Sequence, residues 1–244
     1  MSFLTEHLDT IINADCMDVL KKLPDKCIDL VLTDPPYGID FLSNRTDNHK
    51  RIENDKYEDF SKLYPIWLSE FKRLLTDTGC CCCCCGGGGK TPVSQEFTLE
   101  GIRQGFNLVQ TVIWDKCTIG LGWHYRPSYE TIVIFSKSKN KYNWFTDRKD
   151  ISNIVHMNNI IPQKGDHPTP KPVALMEYFL MIHSKPGDII LDPFSGSGTT
   201  AVACHNLGRH FICVEKDPDY WAASMKRLEE ERRQMTIFDV LGRN

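Results

Sequence analysis

Four consecutive residues, Asp34-Pro35-Pro36-Tyr37, carry groups that suit the binding of a planar heterocycle with an exocyclic amino group. The Asp34 carboxylate accepts hydrogen bonds, and the Tyr37 ring offers a flat face for stacking. The two prolines fix φ and remove two backbone donors, which leaves carbonyl oxygens free to accept hydrogen bonds from a ligand amino group. On these four residues alone, a proline turn with a capping Asp explains the pattern equally well.

The residues before this turn predict the element that positions it. Residues 28–33 form a short apolar run bounded by the proline pair, which predicts a buried strand. In open α/β sheets, ligands bind at the carboxyl ends of the strands. The turn therefore lies where a functional site is expected.

A second group of residues predicts a nucleotide-binding turn. The strand expected at 189–191 leads into residues 192–200, in which two serines alternate with two glycines, and then into a small-residue helix at 201–204. Such a turn requires this order of strand, glycine turn and helix, and the glycines let a ligand approach the backbone. Glu215 follows the next predicted strand, 210–214, about 20 residues after the turn, where a carboxylate accepts hydrogen bonds from both hydroxyls of a ribose.

Together, the two motifs resemble those of the β-class amino-methyltransferases of DNA, which use S-adenosylmethionine. The resemblance covers residues 11 to about 228, and the order of the motifs supports this class, since its Asp-Pro-Pro-Tyr turn precedes the cofactor motif. It implies an α/β fold: a Rossmann-like, open and mostly parallel sheet of seven strands with helices on both faces. The antiparallel strand is expected at 129–135. The motifs identify the family but say little about a DNA recognition sequence.

The resemblance also implies roles for individual residues. Asp34, Pro35, Pro36 and Tyr37 form the catalytic turn. Asp15 and Cys16 follow a strand predicted at 10–14 and lie beside the cofactor adenine in similar enzymes, although Asp15 is as readily explained as a helix cap. Lys171, in the segment 167–172, is expected to pair with the carboxylate at the methionine end of the cofactor. The other residues expected to bind the cofactor are Asp34, Asp192, Phe194, Ser195, Gly196, Gly198, Thr199 and Glu215.

Several polar segments hold the residues expected to contact DNA. The basic loop at 38–56 lacks apolar periodicity, and its place after the catalytic turn favours function over a solvated loop. Residues 115–128 interleave aromatic and cationic side chains, which suits stacking on an unpaired base, although packing on the sheet is the stronger interpretation for any single residue. Similar enzymes recognise their sequence between the strand at 129–135 and the segment at 167–172, which predicts a small target-recognition region around 137–165; a solvated linker is the alternative. The residues assigned to DNA are Arg45, His49, Lys50, Arg51, Trp123, His124, Tyr125, Arg126, Lys137 and Lys139.

Composition limits the other possibilities. The 244 residues are enough for one α/β domain, and we expect a single domain over 1–244. The formal net charge is -3, so contacts to DNA phosphates must come from local basic clusters. The polar start does not predict a signal peptide, and no run of 18 apolar residues occurs, so we expect a soluble, cytoplasmic protein with no membrane partner.

The eleven cysteines predict neither disulfides nor a metal site. Six of them are consecutive, Cys80 to Cys85, and adjacent cysteines cannot form a useful framework of cross-links. The other five lack metal-ligand spacing and resemble small core hydrophobes in a reducing compartment. The run stands where the family has another apolar strand, but six cysteines followed by four glycines are unusual for a folded segment.

Three functions remain open from the sequence. The first is a DNA amino-methyltransferase that acts on double-stranded DNA; its target is expected to be N6 of adenine, because similar enzymes that begin the motif with Asp mostly modify adenine, with N4 of cytosine as the alternative. The second is a methyltransferase of RNA bases or of protein glutamine, against which the motif order argues. The third is a non-catalytic nucleic-acid binder, against which both intact motifs argue. A homodimer and a companion restriction endonuclease are compatible with the resemblance, and the sequence decides neither.

Overall fold

The computed structural model describes residues 2–36, 57–86, 92–120, 124–160 and 170–241, without the side chains of Asp59 and of residues 235–241. Within these residues, one sheet is covered by helices. The strands are β1 (Thr10–Asn13), β2 (Ile28–Thr33), β3 (Leu75–Cys84), β4 (Asn107–Asp115), β5 (Tyr129–Ser136), β6 (Ile154–His156), β7 (Ile189–Asp192) and β8 (His210–Glu215). The helices are α1 (Phe3–Glu6), α2 (Cys16–Leu20), α3 (Tyr57–Leu74), α4 (Val93–Arg103), α5 (Val173–His183), α6 (Thr199–Asn206) and α7 (Pro218–Leu241).

The sheet has the predicted class. Its strand order is β1-β8-β7-β2-β3-β5-β4-β6, and only β5 runs antiparallel to its neighbours among the described strands. The carboxyl ends of β1, β2, β7 and β8 therefore share one edge of the sheet. The same edge receives the amino end of β5, because that strand runs in the opposite direction.

The sheet has eight strands and not the predicted seven. The additional strand, β6, lies in the segment expected to be a polar recognition region, and it pairs in parallel with the end of β4. Its three residues alternate between exposed and buried, and only Val155 is buried. Three residues are too few to show a period in the sequence. The segment forms a strand because the backbone N–H and C=O groups at the open edge of β4 take hydrogen-bond partners from it.

The cysteine run forms the central strand β3, as its position in the family predicts. Cys80 to Cys83 pair with β2 on one side, Cys80 to Cys84 pair with β5 on the other, and all of them are buried. Their side chains alternate between the two faces of the sheet and join the core on each face. Burial raises the pKa of the thiols of Cys82 to Cys85 well above its usual range, so these side chains act as neutral small hydrophobes.

Helices cover both faces of the sheet. Phe179 of α5 and Leu228 of α7 belong to the core on one face. Phe71 of α3 and Phe97 of α4 belong to the core on the other face. Among the described residues, no helix is both long and apolar enough to cross a membrane.

The carboxyl-terminal helix α7 runs without a break from Pro218 to Leu241. No glycine or proline interrupts the chain between Asp219 and Leu241, so the sequence contains no signal that ends the helix earlier.

Candidate active site

The catalytic turn and the cofactor turn lie side by side because their strands are neighbours. β2 pairs in parallel with β7, so Asp34, which follows β2, comes to the same edge as Asp192, which ends β7. The Thr33 hydroxyl donates a hydrogen bond to Oδ1 of Asp192 at 2.7 Å, and both side chains are buried. The two turns therefore lie next to each other at this edge of the sheet. Tyr37 lies outside the described residues.

The two carboxylate oxygens of Asp34 have different surroundings. Oδ2 accepts a hydrogen bond from the Lys171 ammonium at 2.5 Å. Oδ1 is buried and has no hydrogen-bond partner among the described residues. Burial raises the pKa of Asp34, while the charge of Lys171 opposes this increase and that of Glu130 adds to it. The turn thus presents one free acceptor oxygen.

Lys171 is nearly buried, with 6% of its side chain exposed. Besides Asp34, it pairs with Oε2 of Glu130 at 3.2 Å. Burial alone lowers the pKa of Lys171, but the two carboxylates outweigh this effect and raise it, so the ammonium stays charged. Its carbonyl accepts a hydrogen bond from the Thr199 hydroxyl at 3.2 Å, which places Lys171 at the cofactor turn. Its pairing with the cofactor carboxylate stays a prediction.

Glu130 and Lys116 were missed in the sequence. Glu130 is the second residue of β5, and its Oε1 pairs with the Lys116 ammonium at 2.5 Å. The one available signal was a carboxylate within an apolar strand, since a charge on a buried strand is costly without a partner. That signal does not reveal which cation is the partner.

The cofactor turn has the backbone that close approach of a ligand requires. Gly196 and Gly198 have φ values of 50° and 74°, which favour glycine. A Cβ atom at Gly198 would lie 3.0 Å from Cβ of Ser224. Ser195 is buried, and its amide donates to the carbonyl of Val214 at 2.9 Å, which holds the turn against β8.

Glu215 supports this turn directly. Its Oε2 accepts a hydrogen bond from the Gly196 amide at 2.8 Å, and its Oε1 accepts one from the Asp217 amide at 2.8 Å. Burial raises the pKa of Glu215, and the two amide hydrogen bonds oppose this increase. Each carboxylate oxygen keeps a further lone pair, so the group fits the predicted contact with ribose hydroxyls.

Asp15 and Cys16 lie beside Glu215, because β1 pairs with β8. Oδ1 of Asp15 caps α2 by accepting from the Met17 amide at 2.9 Å, so the capping interpretation is confirmed, and a contact with the cofactor stays a prediction. Burial raises the pKa of the Cys16 thiol to about 12, so the thiol is neutral at physiological pH.

Two more predicted cofactor residues are held by the core. The Phe194 ring meets the Trp67 ring edge-on, with centroids 4.6 Å apart. The Asp192 carboxylate accepts from the Phe194 amide at 3.1 Å as well as from Thr33. These contacts indicate that both side chains shape the turn.

Only part of the predicted DNA-contacting set falls on the described residues. His124, Tyr125 and Arg126 are exposed, and Tyr125 is fully so. Packing on the sheet is therefore excluded for Tyr125, which leaves its ring available for stacking. The other residues predicted to contact DNA, Arg45, His49, Lys50, Arg51 and Trp123, lie outside the described residues.

Lys137 and Lys139, which are expected to contact DNA, lie away from the catalytic turn, and their contact with DNA stays a prediction. Both follow β5, whose antiparallel direction brings its carboxyl end to the edge of the sheet opposite Asp34. The Lys137 ammonium donates to the carbonyl of Leu75, the first residue of β3, at 2.6 Å. Lys139 is exposed two residues further on. Neither lysine therefore shares a surface with the catalytic turn.

One group of potential metal ligands occurs in the described part of the chain. Ligand atoms of Asp115, Cys117 and His156 lie within 4.8 Å of one another. The Asp115 carboxylate accepts from the Cys117 amide at 2.9 Å and pairs with the His156 ring at 2.8 Å. These contacts explain the group without an ion, and we keep the absence of a metal as a prediction.

Comparisons with known proteins agree with this geometry. A family model of DNA methylases, the N6/N4 methyltransferases, matches residues 28–226. The type II methyltransferase M.HinfI of Haemophilus influenzae is 30% identical over 98% of this chain and 73% of its own length. The crystal structure of the M1.HpyAVI–SAM complex has a TM-score of 0.64 and 25% identity, covering 90% of this chain and 98% of that one. The cytosine-N4-specific PvuII DNA methyltransferase has a TM-score of 0.66 and 20% identity, covering 88% and 86%.

The fold, the paired turns and these similarities define a methyltransferase that uses S-adenosylmethionine to modify an amino group. The chain belongs to the N6/N4 family of DNA methylases. Its substrate is DNA, and its relatives include type II methyltransferases.

Proposed function

We propose that this enzyme methylates N6 of adenine at a specific sequence in double-stranded DNA. Oδ1 of Asp34 supports an amino target best, because this buried carboxylate oxygen has no hydrogen-bond partner among the described residues. Leaving a buried acceptor unpaired is costly, and an incoming amino group would satisfy it. Adenine is favoured over cytosine because the motif begins with Asp.

The chain's part in the reaction is to position the amino group and change its electron distribution. An aromatic amino group is a poor nucleophile, since its lone pair is delocalised into the ring. Asp34 and the Pro35 carbonyl would accept hydrogen bonds from its two N–H groups and draw the nitrogen towards sp3 geometry, which frees the lone pair. S-adenosylmethionine supplies an activated methyl group when bound. Gly196, Gly198 and Glu215 would hold it at the edge of the sheet where Asp34 lies, so the chain contributes mainly orientation.

The target base must leave the DNA stack to reach a buried carboxylate. Base flipping costs a few kcal/mol, and protein rings that replace the lost stacking offset part of this cost. We assign this replacement to Tyr37. The exposed Tyr125 ring is a second candidate for contact with unpaired bases.

The wider setting follows from a DNA substrate. We place the enzyme in the cytoplasm as a single domain, with sequence recognition in the region around 137–165. The resemblance to type II methyltransferases supports a companion restriction endonuclease. Whether the enzyme acts as a homodimer is tested by sedimentation with and without DNA.

Analysis of the methylated product tests the target atom. The purified enzyme is incubated with DNA and labelled S-adenosylmethionine, the DNA is digested to nucleosides, and the products are separated by mass spectrometry. We expect N6-methyladenine as the only product, and N4-methylcytosine as the main product would overturn the assignment. A parallel reaction with RNA of the same sequence controls for the substrate, and sequencing of the methylated DNA identifies the recognition site.

A further inference from the structure

A chain of alternating charges leads away from the catalytic carboxylate. One ammonium lies between the two carboxylates, and the other lies at the far end of this row of charges. The three successive ion pairs are 2.5, 3.2 and 2.5 Å long. All four side chains are mostly buried, with exposed fractions of 21, 6, 13 and 21%. The members, in order, are Asp34, Lys171, Glu130 and Lys116.

The two carboxylates compete for one ammonium. Lys171 lies 2.5 Å from Oδ2 of Asp34 and 3.2 Å from Oε2 of Glu130. A lysine side chain has four rotatable bonds, so contact with one carboxylate still allows its ammonium to shift between the two oxygens of that group. A second carboxylate on the other side restricts this movement. Glu130 is itself held by Lys116 at Oε1, which directs Oε2 towards Lys171.

On the basis that Asp34 accepts the target amino group, we propose that Glu130 is a positioning residue for methyl transfer. It keeps the Lys171 ammonium at Oδ2 of Asp34, so that Oδ1 stays open for the amino group. Without Glu130, the ammonium moves to a position between Oδ1 and Oδ2 and competes with the target for the same acceptor. Glu130 touches neither the target nor the cofactor in this role.

The charges around Asp34 give this role a signature in the pH dependence. The negative charge of Glu130 raises the pKa of Asp34, and the charge of Lys171 lowers it. The other titratable groups that face Asp34 are Asp192 at the end of β7 and the thiols of Cys84 and Cys85 in and after β3. Burial raises the pKa of both thiols well above its usual range, so they remain neutral where Asp34 titrates.

Glu130→Gln tests the proposal, because it removes the charge and keeps the shape. The single-turnover rate of methyl transfer is measured against pH with saturating DNA and S-adenosylmethionine, since product release often limits steady-state turnover. We expect the rate to fall roughly ten- to a hundredfold, the range expected for one charge-assisted contact. The acidic limb of the curve of rate against pH should move to lower pH, because the Glu130 carboxylate, which raises the pKa of Asp34, is gone. The dissociation constant for S-adenosylmethionine should change less than about twofold.

A matched control and a second variant separate positioning from folding. Glu100→Gln removes a carboxylate of similar exposure, 20%, on α4, where it pairs with Arg103, and should leave both the rate and the pH limb unchanged. Lys116→Gln loosens Glu130 without touching Asp34 and should lower the rate less. Combining it with Glu130→Gln should cause no further loss, since both act through one contact.

Two results would overturn the proposal. The first is a wild-type rate and acidic limb in Glu130→Gln. The second is a slower rate with an unmoved acidic limb and a lowered melting temperature, which is the result of a merely structural role. A failure of the proposed acceptor is distinguishable, because Asp34→Ala would then retain turnover. If Asp34→Ala is inactive while Glu130→Gln, as a separate variant, keeps the wild-type rate and pH dependence, only the role of Glu130 is refuted.

Discussion

At the scale of single residues, the two oxygens of the Asp34 carboxylate have separate tasks. Oδ2 is held by Lys171, and Oδ1 is left as an acceptor in a buried position. Because burial raises the pKa of this carboxyl, we expect methyl transfer to fall as pH decreases through that raised value, where the group loses its charge. A solvent-exposed aspartate, whose pKa is not raised by burial, would lose its charge only at lower pH.

We predict that Asp34→Ala abolishes methyl transfer and leaves most of the affinity for S-adenosylmethionine. The carboxylate chiefly holds the target amino group, whereas the cofactor is held by the glycine turn and Glu215. Transfer of a tritiated methyl group measures the first effect, and calorimetry measures the second. Turnover near the wild-type value would remove Asp34 from the mechanism.

At the scale of elements, a buried side-chain hydrogen bond joins the carboxyl ends of the strands that carry the catalytic turn and the cofactor turn. The Thr33 hydroxyl at the end of β2 donates to the Asp192 carboxylate at the end of β7. Neighbouring parallel strands bring these residues together, but their backbone pairing covers only the middle of the strands. The side-chain contact therefore sets how closely the two turns approach.

We predict that Thr33→Val lowers the free energy of unfolding by about 1.5–3 kcal/mol, because a buried carboxylate loses a donor. It should also weaken S-adenosylmethionine binding, since the Asp192 carboxylate supports the cofactor turn. Urea unfolding measures the first effect, and calorimetry the second. Thr131→Val is the control: its hydroxyl donates to the Gly86 carbonyl at 2.6 Å, and its loss should leave cofactor affinity unchanged. Equal cofactor affinities of Thr33→Val and wild type would contradict a link between the turns.

At the scale of the whole molecule, cofactor binding and stability are coupled. Glu215 holds the amides of Gly196 and Asp217 and offers its remaining lone pairs to the cofactor, so it connects β8 to the ligand. A ligand that binds only the folded state stabilises it by about 2.7 kcal/mol at a hundred times its dissociation constant.

We predict that Glu215→Ala weakens S-adenosylmethionine binding roughly ten- to a hundredfold. At the same ligand concentration, the stabilisation by the cofactor then falls to about 0.4–1.4 kcal/mol. Thermal unfolding with and without the cofactor measures this difference. Comparing the variant with cofactor to the same variant without it cancels any loss of stability that the substitution itself causes. Glu230→Ala, an exposed carboxylate on α7, serves as the control. An unchanged dissociation constant would show that another residue holds the ribose.

The sequence by itself determined the family, the cofactor and the elements that frame the site. The catalytic turn and the glycine turn are contiguous, so their chemistry is visible without a fold. The strand at 28–33 was predicted with its observed bounds, because it has a clear apolar pattern and a proline boundary. The sequence left the cysteine run undecided between the strand that the family has there and a segment too unusual to fold, and its burial on both faces of the sheet decided for the strand.

Only the tertiary structure decided which groups surround the Asp34 carboxylate. Lys171 lies 137 residues away in the chain, and no local pattern links it to Asp34 or to Glu130. The direction of β5 likewise decided that Glu130, at its start, reaches the site, while Lys137, after its end, emerges at the opposite edge. Strand direction and register arise from pairing and burial across the whole sheet, and a sequence window contains neither.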